Sequence, residues 1–208
     1  MPVITIARQY GAGGSSVASM LAQRLGADLI DKGLIAEVAR RAGFGSSEVS
    51  AVDEYPTSLI ERMATTFSSF GLGYAMAWPT PYSDPGEDSR PVVLRLTQKV
   101  IWEAARSGNA VIVGRGAAAL LREQPGAVHV FLYAPEQTRA ATMMARESIS
   151  EETARRQMRE IDHSRAAYLR EIYQVDWRDP QQYTLQLNTG ALGYDHTTEI
   201  ILTAAAKG

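Results

Sequence analysis

The chain has 208 residues, with 21 Lys plus Arg against 23 Asp plus Glu for a formal charge of −2, 45% hydrophobic residues, 21% charged residues and no cysteine. Those figures fit one globular domain of ordinary size, with room for a small appended lobe, and exclude collagen-like, disulfide-scaffold and wholly disordered chains. The missing cysteines remove thiolate nucleophiles, iron–sulfur clusters and thiolate zinc sites, and the near-neutral charge speaks against a general nucleic-acid binder. His129, His163 and His196 are too far apart in sequence to form a short metal motif. The opening residues show no basic stretch followed by a long apolar core, so a cytoplasmic protein is expected.

In chain order, an apolar β-rich run at 3–7 leads into a glycine-rich stretch at 10–16 and then a helical pattern in which Val17, Leu21 and Leu25 recur at i, i+4 and i+8. Gly26 ends that helix in the manner of a left-handed cap, and a short strand candidate follows at 28–31. Gly43 to Gly45, followed by Ser46-Ser47-Glu48, marks a turn into another helix. Residues 45–92 read as a helical insertion with a loop-like tail holding Pro79, Pro81, Pro85 and Pro91. The uncharged run from Met63 to Ser83 is too diluted by Thr, Ser, Gly and Pro for a membrane helix, so no membrane role is expected. Its residues 63–78, with Phe67, Phe70, Tyr74, Met76 and Trp78, read as a helix packed on the core or a homodimer seam.

Leu96, Val100, Ile101 and Ala104 mark a further helix, closed at Ser107-Gly108-Asn109, and strands are expected at 110–114, 128–134 and 184–188. Their hydrophobicity is continuous rather than alternating, which suits strands covered on both faces. Strand, helix, strand is the rhythm of a parallel sheet. From Ser148 to Tyr173 arginines interleave with acids, beginning at a Ser148-Ile149-Ser150-Glu151 capping box and including the i, i+4 pair Glu151 with Arg155. That segment reads either as a solvated helix or as a lid, spanning 146–175, that carries arginines over phosphates.

The stretch Tyr10-Gly11-Ala12-Gly13-Gly14-Ser15-Ser16 sits between the first strand and the first helix, where glycines allow a tight turn and backbone N–H groups converge on an anion at a helix N-terminus. A phosphate cradle is the expected role. The standard phosphate loop ends in Gly-Lys-Ser/Thr. Aligned on Gly13, this sequence has Arg8 at the first glycine position, Gly14 at the lysine position and Ser15 or Ser16 at the hydroxyl position.

The segments Ile4-Thr5-Ile6-Ala7-Arg8-Gln9-Tyr10-Gly11-Ala12-Gly13-Gly14, Leu29-Ile30-Asp31-Lys32-Gly33-Leu34-Ile35, Val111-Ile112-Val113-Gly114-Arg115-Gly116 and Asp176 to Tyr183 running into Leu187-Asn188-Thr189 together resemble the cytidylate kinase-like family of phosphate-loop proteins. The resemblance covers nearly the whole chain. It implies one three-layer α/β/α P-loop domain over 1–208, with a five-stranded parallel sheet ordered 2-3-1-4-5, a substrate-binding helical insertion and an arginine-bearing lid.

For the site, the resemblance places ATP phosphates on Arg8, Gly11, Ala12, Gly13, Gly14, Ser15 and Ser16. It places the acceptor against Asp31, Lys32, Arg115, Asp162 and Arg165, with Arg115 on the substrate phosphate and Asp162 and Arg165 keeping a lid-like Asp-x-x-Arg spacing. Magnesium is expected on Ser15 or Ser16, with Asp31 as an outer carboxylate. Phosphoryl transfer depends mainly on alignment and charge stabilisation, so arginines can replace an absent lysine. Arg8, or Arg155, Arg156 and Arg159 of the lid, are the candidates, alongside Arg115 and Arg165. The expected activity is transfer of the γ-phosphoryl group of ATP to a nucleoside monophosphate or another small acceptor. The competing reading is a non-catalytic nucleotide-binding protein of the same fold.

Overall fold

The computed structural model describes residues 2–31, 33–35 and 90–206, with side chains beyond residue 35 described from Leu94 onward. Two compact units are distinguished, one of residues 1–29 and 107–208 and one of residues 30–106. Residues 36–89 lie outside the described part, and with them most of the expected insertion and the apolar segment read as a core helix or dimer seam.

The elements run β1 (Val3–Arg8), α1 (Gly14–Leu25), β2 (Asp28–Ile30), α2 (Arg90–Ser107), β3 (Ala110–Val113), α3 (Ala117–Leu120), β4 (Ala127–Tyr133), α4 (Glu136–Glu147), α5 (Glu151–Tyr173), β5 (Leu185–Asn188) and α6 (Thr189–Ala205). The five strands form one sheet in the order β2-β3-β1-β4-β5. The register is parallel throughout β1 and its neighbours, with Val3 opposite both Ala110 and Ala127 and Ile6 opposite both Val113 and Val130. β4 pairs in parallel with β5, Val130 opposite Leu185. Parallel neighbours need crossover connections, which the intervening helices supply.

Period-2 alternation divides the strand residues between two buried faces. Ile4, Ile6, Val130 and Leu132 join Val17 and Leu21 of α1 and Ile201 of α6 in the main core. Phe131 points the other way, into a cluster with Leu169 of α5 and Trp177, its ring edge-on to Trp177 at 5.4 Å. Removing each large aliphatic side chain of this kind from water stabilises the fold by about 1.5–3 kcal/mol.

Helix ends follow the sequence signals with two exceptions. Gly26 caps α1 at φ 56, and Gly108 and Asn109 turn left-handed after α2. Pro91, expected as the last breaker of the insertion's tail, lies in the first turn of α2, where a missing N–H costs nothing. The capping box expected at Ser148 is replaced by a cap at Ser150. Ser148 is left-handed at φ 54 and ends α4, so it cannot take the extended conformation of an N-cap; Ser150 does, and accepts from the Thr153 N–H. The Glu151–Arg155 pair forms as spaced, at 2.8 Å. No described helix is long and apolar enough to cross a membrane.

Candidate active site

β1 delivers the chain at Arg8 to a loop that turns through Gly11 at φ 82 and Gly13 at φ 72, the latter serving as N-cap of α1. Gly13 has no freedom to change. A Cβ there would run into the ring of Tyr194, which packs over the loop from α6. Tyr194 reaches that place because α6 breaks at Gly193, whose backbone is non-helical at φ 71 and ψ 168. Thr189, buried at the head of α6, donates its hydroxyl to the carbonyls of Ala12 (3.0 Å) and Tyr133 (3.2 Å). Ser15 and Ser16 are exposed in the first turn of α1.

A second set of contacts grips the loop from the helical hairpin of α4 and α5. The Tyr10 N–H donates to Oδ1 of Asp162 at 2.7 Å, Arg139 Nη1 donates to the Tyr10 carbonyl at 3.0 Å, and the same Nη1 donates to Asp162 Oδ2 at 2.6 Å. Both peptide groups of Tyr10 are thereby fixed by a charged pair whose side chains are only 11% and 7% exposed. Arg165, three residues along α5, donates to the Arg8 carbonyl at 2.8 Å and lies 5.7 Å over the Tyr10 ring. Burial holds its guanidinium below the ordinary arginine range. Around this clamp, Ala140 and Met143 of α4 pack with Ala154 and Met158 of α5, and Tyr10 packs against them.

The space that a side chain at Gly14 would need is already taken by the stem of Arg8, whose Cγ lies 2.5 Å from where a Cβ would stand. Arg8 then extends so that its Nη1 lies 2.1 Å from where a Cβ on Gly114 would stand. A glycine at each of the two positions therefore makes room for one arginine. Gly114, Arg115 and Gly116 are successively left-handed at φ 71, 56 and 72, an arrangement that costs the arginine of the three roughly 1–2 kcal/mol. Arg8, Arg115 and Arg165 line one small cleft of about 60 Å³ at the C-terminal ends of β1 and β3, floored by Thr5, Ala7, Tyr168 and Trp177. That is the edge of an open parallel sheet at which ligands bind. Burial raises the pKa of the Tyr168 hydroxyl above its usual value, so it stays protonated.

Asp31 lies in the second unit, where its Oδ1 accepts from the N–H groups of Gly33 (2.8 Å) and Leu34 (3.0 Å); Lys32 lies outside the described residues. Arg155 is engaged by Glu151 and Glu136, while Arg156 and Arg159 are exposed on α5. Beside the loop, a cavity of about 230 Å³ is lined by Gly11, Ala134, Thr138, Thr142, Thr189 and Tyr194, next to the Asn188-Thr189-Gly190 turn. Arg139 and Tyr194 were not legible as site residues in the sequence. The one available signal was Asp162 itself, a carboxylate at i+8 and i+4 from Ala154 and Met158 on the buried stripe, which requires a buried cation or donor nearby.

Residues 3–191 match the cytidylate kinase-like family. The cytidylate kinase of Methanopyrus kandleri is 31% identical over 131 residues, covering 59% of this chain and 67% of its own. Among solved structures, an uncharacterized protein from Eubacterium ventriosum superposes with a TM-score of 0.72 at 21% identity, covering all of both chains. The shikimate kinase from Acinetobacter baumannii, in complex with shikimate, shares the fold with a TM-score of 0.50 at 16% identity over all of this chain and 94% of its own. With its 2-3-1-4-5 sheet and its glycine loop between β1 and α1, this chain belongs to the cytidylate kinase-like family and is a phosphotransferase of the kinase type.

Proposed function

We propose that the protein is a cytoplasmic kinase that moves the γ-phosphoryl group of ATP to an oxygen of a small phosphate-bearing acceptor, first of all a nucleoside monophosphate of the cytidylate class. The observation that carries this reading is the course of Arg8. Its stem fills the room of the loop side chain that is absent at Gly14, and its guanidinium shares a cleft with Arg115 and Arg165. A cation is thus supplied beside the loop by a different backbone position, which answers the charge deficit left by the missing lysine. Three guanidiniums in one cleft also exceed what a binder of ATP alone requires.

The backbone N–H groups from Gly11 to Ser16 would hold the β- and γ-phosphates at the N-terminus of α1. The base would occupy the neighbouring cavity between Thr138, Thr142 and Tyr194. Arg115 would hold the acceptor phosphate, and Arg165 would bridge acceptor and donor while keeping the Arg8 carbonyl in place. As the bond from the γ-phosphorus to the bridging oxygen of ADP breaks, the acceptor oxygen takes the phosphoryl group, and the arginines stabilise the charge spread over its equatorial oxygens. The exposed hydroxyls of Ser15 and Ser16 fit an ion that prefers oxygen ligands. Magnesium bound there would neutralise charge between the phosphates.

The test is an ADP-release screen across nucleoside monophosphates and small phosphorylated and hydroxylated acceptors, run with calorimetry of ATP and magnesium. Turnover with one acceptor class and a rise in its KM on Arg115→Lys, with the KM for ATP unchanged, supports the reading. ATP binding with no turnover of any acceptor replaces it with a nucleotide-binding protein.

A further inference from the structure

A second charged concavity lies on the other side of α5. Arg159, His163, Ala166 and Arg170 recur at i, i+4, i+7 and i+11 and share one stripe of the helix, whereas Arg165 and Tyr168, which line the arginine cleft, point roughly 130–170° away from it at 100° per residue. That stripe, the base of α4 and the turn holding Arg178 enclose about 510 Å³, within the range of small-molecule sites. None of the phosphate loop from Gly11 to Ser16, the turn at Asn188-Thr189-Gly190 or Arg115 contributes to its lining.

The charges in this groove do not balance. Arg139 is tied to Asp162, and Arg155 to Glu136 and Glu151. The Asp176 carboxylate accepts the backbone N–H of Arg178 at 2.9 Å. Among the described residues, Arg159, Arg170 and Arg178 then have no carboxylate within ion-pair distance, although all three line one concavity. The Arg178 guanidinium is braced 6.0 Å over the Trp177 ring. Arg139, one of the lining residues, keeps its Nε buried without a hydrogen-bond partner.

We propose that this groove is a second anion site, for a small ligand carrying two or more linked phosphates, distinct from the ATP loop. Guanidinium forks match phosphate oxygens bidentately, and three of them around one concavity suit a polyphosphate better than a single carboxylate. The occupant reports to the loop through one residue. Arg139 lines the groove and holds the Tyr10 carbonyl with Nη1, so an anion bound beside it acts on the same guanidinium that positions the loop. The site is regulatory in consequence, since its occupation stiffens the phosphate cradle.

Calorimetry of the full chain with inorganic tripolyphosphate tests this, on the native sequence and on Gly13→Val, in which the added side chain meets Tyr194 and closes the loop. Tripolyphosphate is expected to bind Gly13→Val at one site, and Arg170→Ala with Arg178→Ala on that background to weaken it by about tenfold or more. Arg170→Lys with Arg178→Lys should retain part of the affinity. Amide exchange at Tyr10 should slow on binding. ATP in place of tripolyphosphate on the same background shows whether the ligand is a nucleotide or an inorganic chain. Binding to Gly13→Val that is unchanged by the double alanine variant overturns the proposal, as does a tripolyphosphate titration in which Gly13→Val shows no binding while keeping its native circular dichroism. A failure of the ATP-loop reading would show separately, as ATP affinity indifferent to Gly13→Val.

Discussion

Asp162→Ala strands two donors with one substitution, the N–H of Tyr10 and the guanidinium of Arg139. Both members of the ion pair are nearly buried, at 7% and 11% side-chain exposure, so solvent does little to screen the loss. Breaking a buried pair by removing one partner costs about 3–5 kcal/mol. For a domain of about this size each kcal/mol moves the melting temperature by about 2–4 °C, so Tm should fall by roughly 6–20 °C. Arg139→Ala leaves the carboxylate stranded instead and should cost a comparable amount. The double variant removes both charges together, so it should lose less than the sum of the two single losses, with a coupling energy of about 0.5–3 kcal/mol. Thermal unfolding of the four proteins closes the cycle, and calorimetry with ATP should show affinity falling with the clamp. A drop of about 1 °C or less for Asp162→Ala, the scale of an inert surface change, would refute the clamp, as would strictly additive single losses.

Three further outcomes follow from the geometry. Arg115→Gly relieves a left-handed backbone at φ 56 and should raise stability by about 0.5–1 kcal/mol while abolishing acceptor turnover; a stabilised variant with intact turnover would remove Arg115 from the site. Gln174→Gly, at the left-handed cap of α5, should stabilise by about 1 kcal/mol and leave kcat/KM unchanged, as read by denaturant unfolding beside the activity assay. His129 is buried with Nδ1 2.8 Å from Thr5 Oγ1, and desolvation holds its pKa below the ordinary 6.5. The unfolded chain therefore binds the proton more readily, so this stability is complete above pH 6.5 and is lost as the pH falls from 6.5 toward the lowered folded value. A His129 imidazole resonance titrating at or above 6.5 in the folded protein would refute that sign.

The strands were legible almost to the residue, because a sheet covered on both faces writes its burial as unbroken apolar runs. The sequence put β1 at 3–7 and β3 at 110–114, and the structure has them at Val3–Arg8 and Ala110–Val113. The left-handed caps at Gly26 and at Gly108-Asn109 were equally plain, since glycine and asparagine accept that conformation at low cost. Ser148 misled because its spacing to Glu151 satisfies the capping pattern while its backbone serves the preceding helix. The clamp on Tyr10 was beyond local pattern. Arg139 lies next to Ala140 on an ordinary amphipathic helix, and nothing in that neighbourhood names a carbonyl 129 positions earlier as its partner. Gly14 read as a deficiency, the place of a missing lysine. Only the fold shows that the side chain excluded there is excluded by Arg8.

The pairing of β1 bears on how the chain comes to be assembled in time. Val3 sits between Ala110 and Ala127, so the central strand of the sheet waits for partners translated more than a hundred residues later. At roughly 5–20 residues per second, a ribosome leaves the apolar run from Val3 to Ile6 without either neighbour for about 5–20 s. During that interval the strand is an unpaired edge of high β-propensity, open to misassociation with other nascent chains. Chaperone demand in synthesis should accordingly be set by the placing of β1 in the chain order, and a circular permutant opened just before β3, in which β3 and β4 are translated ahead of β1, should remove the interval in which β1 lacks both neighbours without altering a single packed residue.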